Sequence, residues 1–372
     1  MRALQDTVDA AAERTGFSGV VRLDRAGETE LSAAYGFADR AHEIRNTVQT
    51  QFATASGAKG LTALTVMSLI ERGAFELGTT ARSLLGGDLP LIADGVTIEQ
   101  LLAHRSGIGD YLDEDTLDDI GDYVLPVPVH ELTATEQFLP ILDGHETTYA
   151  AGERFAYNNG GYVVLALLAE RATGVDFHEL ARTLVCQPAG MADTAFLRTD
   201  ELPGRAALGY LSVAGLRTNM FHLPVVGNGD GGIYSTAADF NSFWDALFAG
   251  RIVSAERVAE MVRPRSDWPE ESKRYGLGFH LHPTGDAVWW RDTTQACRSP
   301  ACTSRRPRSP TPSSRTGQKV PGRSSSCSTI SSAPEALTPN DVRAGLKRDL
   351  LGRADERATT CATSPAGGRM TP

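Results

Sequence analysis

All 26 Phe, Tyr and Trp residues of this 372-residue chain fall within 1–290, and none falls in 291–372. Aromatic rings supply much of the apolar surface that a core buries, so a stretch without them has little with which to build one. The same last 82 residues hold 14 Lys+Arg against 6 Asp+Glu, a charge of +8, which leaves -18 on the first 290. Ser, Thr and Pro make up 32 of those 82 residues, too polar a mixture to offset the entropy of ordering the backbone. Residues 1–290 are therefore expected to fold and 291–372 to form a basic, largely disordered tail, with a short helix over 341–358 as its one ordered piece. Strand-like alternation over 275–289 stops within two residues. A shift of reading frame near Arg291 would produce such a break, because back-translation displaced by one nucleotide permits a glycine turn and the start of another strand. The tail is accordingly read as frame-shifted.

Composition also narrows function. A formal charge of -10 argues against a general nucleic-acid or anionic-membrane binder. No run of 18 apolar residues offers a membrane span. Asp6, Asp9 and Glu13 interrupt the first twenty residues where a secretory leader would be apolar, so a cytoplasmic location is expected. The 5 cysteines are odd in number, and none sits in a CxxC or CxxH spacing. Neither a disulfide framework nor a zinc site is expected, and no metal or cofactor.

Within 1–290, residues 3–15 have helical spacing, and 17–23 and 30–37 read as strands joined across a polar turn, 24–29, that contains Gly27. From Ser56 to Glu71 apolar residues crowd nearly every face, the mark of a buried helix. Thr97 and Gln100 form a capping box for a helix reaching His104. Further helices are expected over 129–142, 162–172 (with Gly174 as C-cap), 176–185 and 237–249, the last capped by Ser235 or Thr236. The span from about 70 to 195 is thus mainly helical between strand-bearing ends.

Two short patterns carry chemistry. Ser56 and Lys59 stand three apart at a helix N-terminus, so they share a face. A serine hydroxyl needs a base and stabilised developing charge to act as a nucleophile. A desolvated lysine can be that base, and a helix N-terminus favours an oxyanion. Taken alone, a capping serine beside a solvated lysine explains the same spacing. Tyr157 and Asn159 lie in a polar turn between helices, where Tyr can relay a proton and Asn can position Lys59 and a carbonyl; a plain Asn-Gly turn is the competing account.

In order and separation the pieces say more than they do singly. FATASGAKGLTA (52–63), LLAHRSGIGDY (101–111), AGERFAYNNGGY (151–162), GDGGIYSTAAD (229–239) and YGLG (275–278) resemble the serine β-lactamase and penicillin-binding-protein superfamily. The likeness is to its class C β-lactamase-like, D-alanyl-D-alanine-carboxypeptidase-like and esterase-like serine hydrolases. It implies an α+β fold, an antiparallel sheet flanked by helices with a mainly helical subdomain. It also implies Ser56 as nucleophile, Lys59 as its base, Tyr157 as proton relay and Asn159 as polar positioner. His104 would shape the core, while Asp230 and Tyr234 would lie near the cleft. A second oxyanion donor would come from the strand after Gly-Leu-Gly. That strand normally bears Lys-Thr-Gly or His-Thr-Gly, and neither occurs at the expected distance; Arg315-Thr316-Gly317 imitates the triplet within the tail.

The expected function is hydrolysis of a small ester, amide or peptide-like substrate through an acyl-enzyme. A β-lactamase or D-alanyl-D-alanine carboxypeptidase is the first alternative, and an impaired family member that binds without turnover is the second. Loss of the final strands would expose sheet edges.

Overall fold

The computed structural model describes residues 2–113, 120–212, 214–291 and 302–305. Helix α1 (Arg2–Thr15) packs on the hairpin of β1 (Gly19–Arg25) and β2 (Glu28–Tyr35), where the Tyr35 hydroxyl donates to Asp9 at 2.6 Å. The hairpin is longer than its polarity suggests. Pairing runs from Gly19↔Tyr35 to Arg25↔Glu28, leaving only Ala26 and Gly27, both at positive φ, as the turn. Residues 24–29 are therefore mostly strand, because Arg22, Asp24 and Thr29 satisfy one another across the ladder.

Short strands β3 (Phe37–Asp39) and β4 (Ile44–Arg45) pair with each other, and β5 (Phe52–Ala53) leads into α2 (Ala58–Glu71). Every residue of α2 up to Ile70 is buried, as its all-round apolar pattern requires. Around it stand α3 (Ala81–Leu85), α4 (Ile98–Leu102), α5 (Leu139–Leu142), α6 (Gly160–Thr173), α7 (Phe177–Ala181) and α8 (Gln187–Ala189). The Thr97–Gln100 capping box forms, and Gly174 ends α6 in the left-handed conformation. The long helix expected over 129–142 does not. Gln137 Oε1 accepts from the backbone N–H groups of Thr133 and Ala134, which starts a new turn there, and Pro140 removes a donor further on. The result is two 3-10 turns, Val129–Glu131 and Thr135–Phe138, followed by α5.

Strand β6 (Tyr234–Ser235) returns beside β5, and Thr236 caps α9 (Ala237–Phe248) by accepting from Asp239 N–H. After α10 (Ala255–Met261) come β7 (Ser266–Trp268), β8 (Lys273–Tyr275), β9 (His280–Leu281), β10 (Val288–Arg291) and β11 (Cys302–Arg305). These five form one antiparallel sheet in the order β11-β10-β9-β8-β7. Gly278, at φ 85°, permits the sheet to close on α2: a Cβ there would stand 2.2 Å from that of Ala63.

Strand β11 lies past the boundary read at 290, within the tail expected to be largely disordered. Its residues pair with β10 from Val288↔Arg305 to Arg291↔Cys302, and order thus continues past 290. An edge strand can form from backbone hydrogen bonds alone, which composition does not register. Arg315-Thr316-Gly317 and the helix expected over 341–358 lie outside the described residues. Among the described residues no helix is long and apolar enough to cross a membrane, and no group of three His, Cys, Asp or Glu could hold a metal ion.

Candidate active site

The β5–β6 pair delivers the chain into a 3-10 turn, Ala55–Gly57, at the start of α2. Thr54 N–H donates to Ile233 O at 2.8 Å, and Gly57 N–H to Thr54 O at 2.7 Å, fixing the turn from both sides. Ala55 sits at φ 37°, a left-handed conformation that costs a non-glycine residue about 1 kcal/mol or more. Strain of this kind, immediately before Ser56, presents a half-exposed hydroxyl at the end of a buried helix.

One turn on, Lys59 is 2% exposed, yet its amine is fully partnered. Nζ lies 3.0 Å from Ser56 Oγ, 2.7 Å from Asn159 Oδ1 and 2.8 Å from the carbonyl oxygen of Asp230. An ammonium has three protons to donate, so this cage matches it; as an amine it keeps two of these bonds and can accept from the serine. Thr62, one turn further along α2, donates to Gly229 O at 2.6 Å and so holds the 229–230 carbonyls toward the helix.

Asn159 is oriented by its own contacts. Its Nδ2 donates to Leu112 O at 2.8 Å, which turns Oδ1 to Lys59. The backbone N–H of Asn159 donates to Asp110 Oδ2 at 2.6 Å, and that of Gly160 to Asp110 Oδ1 at 2.7 Å. Burial pushes the Asp110 carboxyl up to about 6, against the lowering effect of these N–H donors and of Lys59.

Tyr157 reaches the same amine: Lys59 Nζ lies over its ring, 4.9 Å from the centroid. His104, on the left-handed residue after α4, pins this segment twice. Its carbonyl accepts from Ala156 N–H at 2.9 Å, and its Nδ1 from Asn158 N–H at 3.1 Å. Burial first, then the charges of Lys59 and His280, holds its pKa well below the usual value, so the ring is neutral. With Nδ1 accepting, the proton sits on Nε2, which has no hydrogen-bond partner among the described residues. The Tyr157 ring stacks between this imidazole, 4.5 Å away, and Trp268, 6.4 Å away.

The four residues singled out in the sequence, Ser56, Lys59, Tyr157 and Asn159, therefore all border one amine. Asp230 contributes a backbone oxygen there, while its carboxylate accepts from the Tyr111 hydroxyl at 2.6 Å. Asp110 and the left-handed Ala55 were not legible as site features; the only hint of the former was an acidic residue inside the 101–111 pattern. On the opposite side, β10 packs against the serine turn. A strand thus lies beside the serine turn, and its Val288-Trp-Trp-Arg291 contains no Lys-Thr-Gly or His-Thr-Gly.

A serine-bearing turn leading into a buried helix, a lysine on the same face and a tyrosine and asparagine from a second helix entrance, walled by an antiparallel sheet, define a β-lactamase/transpeptidase-type fold. The chain belongs to the Beta-lactamase family, whose profile matches residues 4–298. The crystal structure of a penicillin binding protein from Bacillus halodurans superposes with a TM-score of 0.71 at 33% identity, covering 76% of this chain and 87% of that one. A Bacillus subtilis (strain 168) protein named as the penicillin-binding protein PbpX is 28% identical over 272 residues, 72% of this chain and 63% of the relative. Esterase EstB of Burkholderia gladioli is 32% identical over 216 residues, 54% of this chain and 52% of the esterase. The chain thus spans less than two thirds of the length of these curated relatives.

Proposed function

We propose that the chain hydrolyses a small carboxylic ester or amide through an acyl-enzyme on Ser56. The single observation that carries this reading is the 3.0 Å contact between Ser56 Oγ and a buried Lys59 amine held by two further acceptors. In the first half-reaction the neutral amine takes the hydroxyl proton as Oγ bonds to the substrate carbonyl carbon. The Ser56 N–H, at the start of α2, stabilises the developing oxyanion. Tyr157 passes the proton to the departing alcohol or amine as the carbonyl–heteroatom bond breaks. Water then adds to the acyl carbon, its proton returns through Lys59 and Tyr157 to Ser56, and the acid leaves. An esterase and two penicillin-binding proteins among the relatives support an acyl-transfer chemistry, and β-lactam or D-alanyl-D-alanine hydrolysis is the finer alternative.

Labelling of the full chain with a fluorophosphonate probe tests the assignment. Ser56→Ala is expected to abolish labelling; a variant that labels as strongly as the parent rejects Ser56 as nucleophile. A second reading, binding without turnover, is favoured by the missing triplet on β10. Ser56-dependent hydrolysis of p-nitrophenyl acetate or of a chromogenic cephalosporin would reject it.

A further inference from the structure

We propose that Asp110 is the positioning residue of this site: from a loop some fifty residues upstream (110 against 159–160), its carboxylate clamps the entrance of α6 and so fixes the Asn159 amide that holds Lys59 against Ser56. The inference rests on the acyl-transfer reading above.

The clamp has two jaws from one short segment. Asp110 takes the backbone N–H groups of Asn159 and Gly160 with one carboxylate oxygen each, while the carbonyl of Leu112 takes the Asn159 side-chain N–H at 2.8 Å. The segment closes on itself through Leu112 N–H, which donates to Asp110 Oδ1 at 3.3 Å. Backbone and side chain of Asn159 are thereby held at once, and the amide cannot flip without losing the Leu112 bond. These N–H groups are among those that a helix leaves without partners at its first turn, and an anion is favoured there. The close approach depends on glycine at 160, where a Cβ would stand 3.3 Å from Asp110 Oδ1. Asp110 touches neither Ser56 nor the space beside its hydroxyl in any contact described above; it acts through Asn159 and Lys59.

Fluorophosphonate labelling of the full chain separates positioning from mere support of the fold. In Asp110→Asn, an amide N–H2 faces one of the two backbone donors, so one of the two Asp110 bonds is lost. The maximal labelling rate should fall roughly tenfold with the probe concentration for half-maximal rate unchanged, the loss expected for one hydrogen bond involving a charged group. Asp110→Glu, which keeps the carboxylate, should recover most of that rate. Gly160→Ala, which leaves Asp110 in place and shifts it by a few tenths of an ångström, should cost a smaller factor of about two to three. Thermal melting of each variant reports the folded fraction, to which rates are normalised. If Asp110→Asn fails to fold, Gly160→Ala still decides: a parent-like rate there overturns the proposal. A folded Asp110→Asn within about twofold of the parent, or an Asp110→Glu as slow as Asp110→Asn, overturns it as well. Ser56→Ala runs beside them. Its loss of label together with a parent-like Asp110→Asn rejects the clamp alone, whereas its retention of label rejects the nucleophile, and with it the reading on which the clamp rests.

Discussion

The two walls of the site are built on different principles. The helical wall is made of side chains with close polar partners: Lys59 and Thr62 on the buried helix α2, Asn159 at the entrance of α6 and Asp110 on the loop after α4 each meet a named partner within 3.0 Å. The strand wall offers backbone. Its four residues on β10 are held between β9 and the edge strand β11, and no side chain of the family's triplet stands there. In the proposed reaction the first wall would hold the base and the nucleophile, and the second would set how a carbonyl lies against them. A chain can thus keep the side-chain network of one wall while the strand of the other departs from the family pattern.

The sharpest way to break this contrast is Lys59→Met, which keeps the stem and removes the amine. Hydrolysis should fall on the order of 10²–10⁴-fold, the usual worth of a positioned base. Steady-state rates on p-nitrophenyl acetate measure it, and a parent-like rate would move the base elsewhere. Leu64 on α2 is completely buried, so Leu64→Ala should cost about 3–5 kcal/mol in urea unfolding.

Asp110 provides a pH test of the helical wall. The titratable neighbours that act on it or feel it are Lys59, Tyr111 and Tyr123, with Asp230 bonded to Tyr111. Its carboxyl rises from 3.8 to about 6 on folding. Its contribution to stability is therefore fully present below pH 3.8 and is lost as pH rises through 6. The full change is of the order of 3 kcal/mol. Melting across that window should show a decline with rising pH that Asp110→Asn lacks; identical slopes in the two proteins would contradict the buried, raised carboxyl.

Val288 on β10 is also buried, but Val288→Ala removes two methyl-sized groups and should cost only about 1.5 kcal/mol. A loss matching that of Leu64→Ala would show the strand wall to be as integral to the core as the helical one.

The helical wall was also the legible one. Spacing alone put Ser56 and Lys59 on one face, and the capping box at Thr97 and the stop at Gly174 formed where the sequence placed them. Such signals are local, set by neighbours three or four residues away. Convergence of Tyr157 and Asn159 on Lys59 came through family likeness, since 100 residues separate Asn159 from the lysine it meets. Asp110 stayed hidden because its partners are backbone N–H groups, which every sequence possesses. The overextended helix at 129–142 failed on apolar periodicity that ignored Gln137 as a competing cap. Strand β11 escaped for the converse reason: ladder bonds need no particular side chains, and an aromatic-free, Ser-rich segment can supply them.

The threefold cage around the Lys59 amine has a consequence for the energetics of the proposed reaction. When the lysine changes between ammonium and amine, the bonds to Asn159 and Asp230 can keep their direction, and only the link to Ser56 reverses. In the proposed acyl transfer, proton uptake would then be a displacement of one light nucleus inside a stationary frame of heavy atoms, with the reorganisation that water would demand at each cycle complete before substrate arrives.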